Sequence, residues 1–298
     1  MYNIIQKRKI WLVVSATFII PSIIMFSISG LKLGIDFTGG SLIQVGFTDE
    51  RPSSQAVADS LSEFDVGAVK AQPLGDSEMT IRIKEIDNET YLTILASLRE
   101  NFGQVEERSF ESIGPTIGRE LREKALIAIA SVLFFIILYI SIAFRKTGSS
   151  SVKSWVYGLG ALAALFHDII IVVGVFSFLG YFLNVEVDTL FITALLTVLG
   201  FSVHDTIVVY DRVREQLKLN VTDTFEEVVN ISVNQTIIRS LNTSLTTLLV
   251  LFALYLFGGE SIRYFILALI IGIAVGTYSS IFIASPFLVF WKNITSRS

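Results

Sequence analysis

Two acids stand inside long apolar runs. Asp168 lies in Phe166-His167-Asp168-Ile169-Ile170, and Asp205 in Val203-His204-Asp205-Thr206-Ile207. The chain has two histidines, and each directly precedes one of these acids. A charged side chain at mid-bilayer costs at least ~2.5–3.5 kcal/mol, so such acids mark functional sites by default. Loss of water favours a neutral carboxyl and a nearby guanidinium favours a charged one. An acid held between these effects can take up and release a proton when its distance from the cation changes. Arg239 is the candidate cation. In Gln235-Thr236-Ile237-Ile238-Arg239-Ser240-Leu241-Asn242-Thr243-Ser244-Leu245-Thr246-Thr247, helical spacing puts Gln235, Arg239, Asn242, Thr243 and Thr246 on one face. Such a stripe should face other helices or a water-filled path. Together, Asp205 and Arg239 have the make-up of a proton-coupled switch.

A plainer reading stands beside this one, because polar residues in spans also serve only to hold helices together. For His167 and His204 a structural hydrogen bond competes with a modulating role. Two His-Asp pairs raise the idea of a metal, but no facing arrangement is legible and no metal is expected. There is no Cys, which excludes disulfides and thiolate chemistry.

The elements that must position these residues are membrane spans. Hydrophobic residues make up 52% of the 298 and charged residues 17%, against about 25% charged in soluble domains. Mean hydropathy is +0.65. Six continuous apolar runs are predicted to cross as helices: Ile10–Gly30, then residues near 125–144, 155–179, 189–210, 241–257 and 264–291. The first follows Lys7-Arg8-Lys9 and is too long for a signal peptide, so it reads as an uncleaved span. Lys and Arg gather at the N-terminus, in the second-to-third connection (Arg145, Lys146, Lys153), in the fourth-to-fifth (Arg212, Arg214, Lys218) and in the tail (Lys292, Arg297). The positive-inside rule then puts both termini in the cytoplasm and the long insert outside. Gly272-x-x-x-Gly276 in the sixth span reads as a packing face. The net charge of −4 gives no reason to expect nucleic acid binding.

The insert, residues 31–120, separates the first span (1–30) from a five-helix bundle (121–298). Ser41–Phe47 alternates like a strand, Ser54–Phe64 is amphipathic, and Ala68–Pro73 is a weak strand. Met79–Lys84 alternates again, Asn88–Phe102 is amphipathic and ends at Gly103, and Val105–Ile113 is a last strand. The order β-α-β-β-α-β is that of a ferredoxin-like α+β domain. The fold class is therefore a polytopic α-helical membrane protein of six spans with one external α+β domain.

Gly34-Ile35-Asp36-Phe37-Thr38-Gly39-Gly40 follows the first span, and Gly114-Pro115-Thr116-Ile117-Gly118 precedes the second. They resemble the G-I-D-F-T-G-G signature and the V-G-P-x-[IV]-G motif of the SecF family. His167-Asp168, Ser202–Glu215 and Gln235-Thr236 with Arg239 resemble three further family motifs in order. One departure is His204, where the family has Asn.

The resemblance implies a subunit that pairs with SecD and associates with SecYEG, and with YajC and YidC. It implies use of the proton motive force, with no bound cofactor, to assist export of unfolded preproteins after the ATP-driven step of SecA. In agreement, no G-x-x-x-x-G-K-[ST] loop is present. Asp205 and Arg239 match proton-coupling positions, with Thr243 one turn beyond Arg239 and Asp168 in the third-span H-D. The family shares its architecture with SecD and the RND transporters, so a small-molecule or lipid exporter subunit is one alternative, and a passive scaffold for channel assembly another. No enzymatic activity is implied. The chain opens at Met1 with a six-span unit, which implies a separate SecD. The location implied is the bacterial inner membrane.

Overall fold

The computed structural model describes residues 2–48, 50–145, 152–219, 222 and 224–295. Lys146 and Arg297, used above for topology, lie outside the described residues. In chain order the elements are α1 (Arg8–Ser29), α2 (Ile35–Thr38), β1 (Gly40–Phe47), α3 (Ser54–Ser60), β2 (Lys70–Leu74), β3 (Glu78–Ile83), α4 (Asn88–Phe102), β4 (Val105–Ile113), α5 (Pro115–Ala143), α6 (Ser154–Leu183), α7 (Thr189–Leu219), α8 (Phe225–Phe257), α9 (Arg263–Ser279) and α10 (Ser285–Thr295). They divide into two compact units, Leu33–Leu126 and the remainder.

The Leu33–Leu126 unit holds a four-stranded antiparallel sheet in the order β2-β3-β1-β4. Each β-α-β pair is split by a strand of the other, which makes the unit ferredoxin-like. Alternation sets the buried face. Ile43, Val45 and Phe47 of β1 and Met79, Ile81 and Ile83 of β3 meet Val57, Leu61, Tyr91, Ile94, Leu95 and Leu98. The helix starts follow from caps: Ser53 Oγ accepts from the Ala56 N–H at 3.1 Å, and Asp87 Oδ1 from the Thr90 N–H at 2.9 Å.

Among the described residues, six helices are long and apolar enough to cross a membrane. They are α1, α5, α6, α7, α8 and the run Glu260–Thr295, in which a π-helical turn (Ser280–Ala284) joins α9 to α10. Pro286 follows that turn and has no N–H to give to the carbonyl of Phe282, so the regular ladder is interrupted there. Small residues set the close approaches. A Cβ at Gly174 of α6 would collide with Ser22 of α1, and one at Gly272 of α9 with Val198 of α7. The apolar cluster joins Tyr157 and Ala161, Val209, Tyr210 and Val213, and Val228, Val229 and Val233 with Ala284 and Leu288.

Two helix starts differ from the sequence reading. The fifth apolar run was placed at 241–257, but α8 begins at Phe225. Glu226, Glu227, Asn230, Asn234 and Arg239 lower the hydropathy of the added turns, while Phe225, Val228, Val229, Ser232, Val233 and Thr236 keep a buried helical face. Likewise α5 begins at Pro115, ahead of the run read from 125, through the charged turns around Arg119–Lys124.

Candidate functional site

Asp168 sits on α6 with none of its surface exposed. Its Oδ2 accepts from Ser202 Oγ of α7 at 2.7 Å and from Ser279 Oγ of α9 at 2.9 Å. Its Oδ1 lies 3.1 Å from Nδ1 of His167. The hydroxyl network continues to the π-helical turn. Ser280 Oγ donates to the Ser202 carbonyl at 3.0 Å and lies 2.8 Å from Thr206 Oγ1. One acid thus ties three helices together with its oxygens satisfied. Nε2 of His167 is buried without a partner, and the ring stacks beside Tyr278 at 5.8 Å.

Asp205, on α7, is equally enclosed, with 2% of its surface exposed. Its environment differs. Oδ2 is buried and has no hydrogen-bond partner, and so is Ser240 Oγ on α8. Ser240, Ser244, His204 and Arg239 are its polar and charged neighbours. Nδ1 of His204 stands 4.0 Å from Asp205 Oδ1, with the imidazole largely in the open. Among the described residues no ion pair within 4.0 Å joins Asp205 to Arg239. Thr243 gives its hydroxyl hydrogen to the Arg239 carbonyl at 3.0 Å, within its own helix.

The polar stripe of α8 lies on the outer face of this chain. Gln235, Arg239, Asn242 and Thr246 are exposed on this chain and Thr243 is half-buried. The face against the bundle is a second stripe, Ser232, Thr236, Ser240 and Ser244, spaced by four. Ser244 Oγ meets Thr277 Oγ1 of α9 at 2.5 Å. Small side chains allow that close approach between α8 and α9. At its beginning the outer stripe does reach α7, where Gln235 Oε1 accepts from Arg212 Nε at 2.5 Å and from Gln216 Nε2 at 3.1 Å. Sequence reasoning missed Ser202, Ser279, Ser280, Ser240 and Ser244. The four-residue spacing of Ser and Thr along α8 was the available signal.

The glycine signature folds within the Leu33–Leu126 unit. Gly34 leads into α2, Phe37 is buried, and Thr38 Oγ1 donates to the Gly34 carbonyl at 2.9 Å. Arg82 of β3 donates to the Leu33 carbonyl at 3.2 Å and to Thr38 Oγ1 at 2.5 Å. Asp36 lies in the first turn of α2. Gly39 has φ +75°, and a Cβ there would stand 2.7 Å from Pro115 Cα. A Cβ on Gly118 would stand 2.8 Å from Gly39 N. Gly40, with φ +121°, opens β1 against Ile113 of β4. The two glycine motifs are therefore packed backbone on backbone. Among the described residues no group of three or more His, Cys, Asp or Glu could hold a metal.

Residues 93–294 match the family model for the C-terminal part of the SecD/SecF protein export membrane proteins, and residues 24–50 match the SecD/SecF GG motif. The chain is 44% identical to the protein translocase subunit SecF of Thermobaculum terrenum, covering 98% of this chain and 95% of that one. It belongs to the SecF family. The SecF of Anaerolinea thermophila is 39% identical, over 98% of this chain and 95% of that one. Among solved structures, SecDF of Thermus thermophilus, described as a translocon-associated membrane protein, superposes with a TM-score of 0.84 at 33% identity. That match covers 98% of this chain and 39% of the SecDF chain, so this chain spans well under half of that protein. The relatives are protein translocase subunits of the membrane, and protein transport is the family's work.

Proposed function

We propose that this chain pairs with SecD and uses the proton motive force to assist the export of unfolded preproteins through SecYEG, after the step driven by SecA. The observation that carries the reading is Asp205, a buried carboxylate with one partnerless oxygen, beside a helix that bears Arg239. A buried acceptor left unpaired is costly, and taking up a proton changes that cost at once. The proton gradient is the energy source, with no bound cofactor. The relatives support the pairing, because the matched SecDF chain is more than twice as long as the part this chain covers. The exposed polar stripe of α8 is the face on which we place SecD, since Gln235, Arg239, Asn242 and Thr246 are exposed on this chain and polar side chains in a span turn toward protein or water. In this reading the Leu33–Leu126 unit is external, both termini are cytoplasmic, the membrane is the bacterial inner membrane, and YajC and YidC are further partners.

The test is export of a preprotein into inverted vesicles, with and without a proton gradient. Asp205→Asn keeps the volume and some hydrogen bonding, so assembly with SecD is retained while the gradient-dependent part of export is lost. Undiminished gradient-dependent export by Asp205→Asn removes this residue from the mechanism and leaves the chain a passive scaffold.

A further inference from the structure

The segment ahead of α1 is bound to α8 by side chains of that helix. Asn230, in the second turn of α8, is buried. Its Oδ1 accepts from the Ile4 N–H at 3.0 Å and the Ile5 N–H at 3.2 Å, and its Nδ2 donates to the Tyr2 carbonyl at 3.1 Å. One turn on, Asn234 Oδ1 accepts from the Tyr2 N–H at 2.7 Å, and its Nδ2 donates to the Tyr2 carbonyl at 2.9 Å. One turn before, Glu226 pairs with Arg8 at 2.8 Å. Ile4 and Ile5 are buried in the cluster formed by Val209, Tyr210 and Val213 of α7 and Val229 and Val233 of α8. The segment is thus wedged where α7 and α8 meet, gripped by Asn230 and Asn234 four residues apart on α8, while Glu226 holds Arg8 at the start of α1.

This grip fixes how α8 is turned. Neighbouring helix residues point about 100° apart. Turning α8 by one residue would therefore replace Ser240 by Arg239 on the side toward α7. In the present rotation Ser240 and Ser244 stand beside the Asp205 carboxyl, but neither Asp205 Oδ2 nor Ser240 Oγ makes a hydrogen bond within 3.5 Å. Buried polar groups so loosely satisfied do not by themselves fix the rotation, and the grip on residues 2–5 is a contact that does. An open cavity lined by Asn3, Gln6, Thr224, Glu226 and Glu227 flanks Asn230, so water can take over the hydrogen bonds when the segment lets go.

We propose that residues 2–5 form a latch that holds α8 with Arg239 outward and Ser240 toward Asp205, and that Asn230 is its positioning residue. When the latch opens, α8 turns and Arg239 approaches Asp205. The consequence for transport rests on the proton-coupling reading, whereas the rotational latch does not.

The chain has no cysteine, so introduced pairs can be read without background. Ser244→Cys with Thr277→Cys reports the latched rotation, because their hydroxyls are 2.5 Å apart. Thr243→Cys with Thr277→Cys reports the turned one. Both pairs are oxidised in the full chain in membranes, without preprotein or gradient, and the ratio of bridged product is taken. With Asn230 in place the first pair dominates. Asn230→Leu removes three hydrogen bonds and lowers the ratio about fivefold or more. Asn230→Asp keeps both bonds accepted from Ile4 and Ile5 and holds the ratio nearer the native one. An unchanged ratio in Asn230→Leu overturns the latch. If Asn230→Leu forms neither bridge, Asn234→Leu decides, since its side chain is only half-buried: a lowered ratio supports the latch and a native ratio overturns it. Loss of gradient-driven export is scored separately with Asp205→Asn, so either reading can fail alone.

Discussion

Ser202 on α7 gives its hydroxyl hydrogen to Asp168 on α6 at 2.7 Å. Ser279 on α9 supplies a second donor to the same oxygen. Asp205 stands three residues beyond Ser202 on the same helix and has an oxygen with no donor within 3.5 Å, Ser240 and Ser244 standing near it. The two His-Asp pairs look alike in sequence, yet one acid is a saturated tie between helices and the other is left short of partners. Saturation suits a structural role, and the shortage suits a group whose protonation changes.

Ser202→Ala and Ser279→Ala should each lower stability by about 0.6–2 kcal/mol, the range for hydrogen bonds between membrane helices. The double variant should lose more than the sum, because Asp168 Oδ2 then has no donor at all. Thermal unfolding of the full chain in mild detergent measures both. Strict additivity would show that the two serines do not share one acceptor.

Gly39→Ala should destabilise the Leu33–Leu126 unit. A left-handed conformation costs a non-glycine residue about 1–2 kcal/mol, and the added Cβ meets Pro115 Cα at 2.7 Å. Gly30→Ala is the comparison, since Gly30 has φ +62° but nothing within 4 Å of the added atom. Limited proteolysis of the full chain should cut the unit faster in Gly39→Ala than in Gly30→Ala. Equal rates would remove the backbone contact as the reason for that glycine.

Asp87 gives a pH prediction outside the spans. The Thr90 N–H bonded to its carboxylate holds its pKa below the ordinary 3.8. A carboxyl with a lowered folded-state pKa stabilises above its unfolded value and loses that contribution as pH falls through the folded one. Protection of the α4 amides from hydrogen exchange should therefore weaken below about pH 4. Asp87→Asn, which can still cap, should flatten this dependence, and an unaltered profile in that variant would assign it to other groups.

How much of this was legible depended on the kind of signal. Asn88–Phe102 and Val105–Ile113 were read to the residue, because Asp87 caps one end, Gly103 closes the other, and an alternating strand follows. The apolar run 241–257 marks only the second half of α8, because hydropathy ranks Asn230 and Arg239 as breaks while helix periodicity does not. The sequence showed one polar stripe on α8, with Arg239; the second stripe, Ser232, Thr236, Ser240 and Ser244, which packs against this chain's own helices, was hidden because small hydroxyl side chains barely alter hydropathy. The contacts of Asn230 were out of reach, since its partners are main-chain groups of residues 2–5, which leave no mark in side-chain identity.

Topology can be tested by labelling. A cysteine at Ser77, in the turn between β2 and β3, should react with a membrane-impermeant maleimide from outside. One at Ser149, which lies outside the described residues, should react only from the cytoplasmic side. The asymmetry of Lys and Arg across the connections motivates both. Reversed labelling would invert the arrangement.

Arg239→Lys and Asp205→Glu probe the same pair from its two ends. Lysine keeps the charge of Arg239 but is a compact, strongly hydrated point charge without the planar fork. Arg239 is exposed on this chain and, though a neighbour of Asp205, makes no ion pair with it within 4.0 Å, so the reach and shape of its end group matter more than charge alone. Arg239→Lys should therefore keep assembly with SecD and lose most gradient-dependent export. Asp205→Glu keeps the titrating group but lengthens it by one methylene in a buried setting. It should retain part of the gradient-dependent export, whereas Asp205→Asn retains none. Export into inverted vesicles, normalised to the gradient-free rate, measures all three on one scale. If Asp205→Glu were as inactive as Asp205→Asn while Arg239→Lys stayed fully active, exchange of a proton between a carboxylate and its arginine would no longer describe the site.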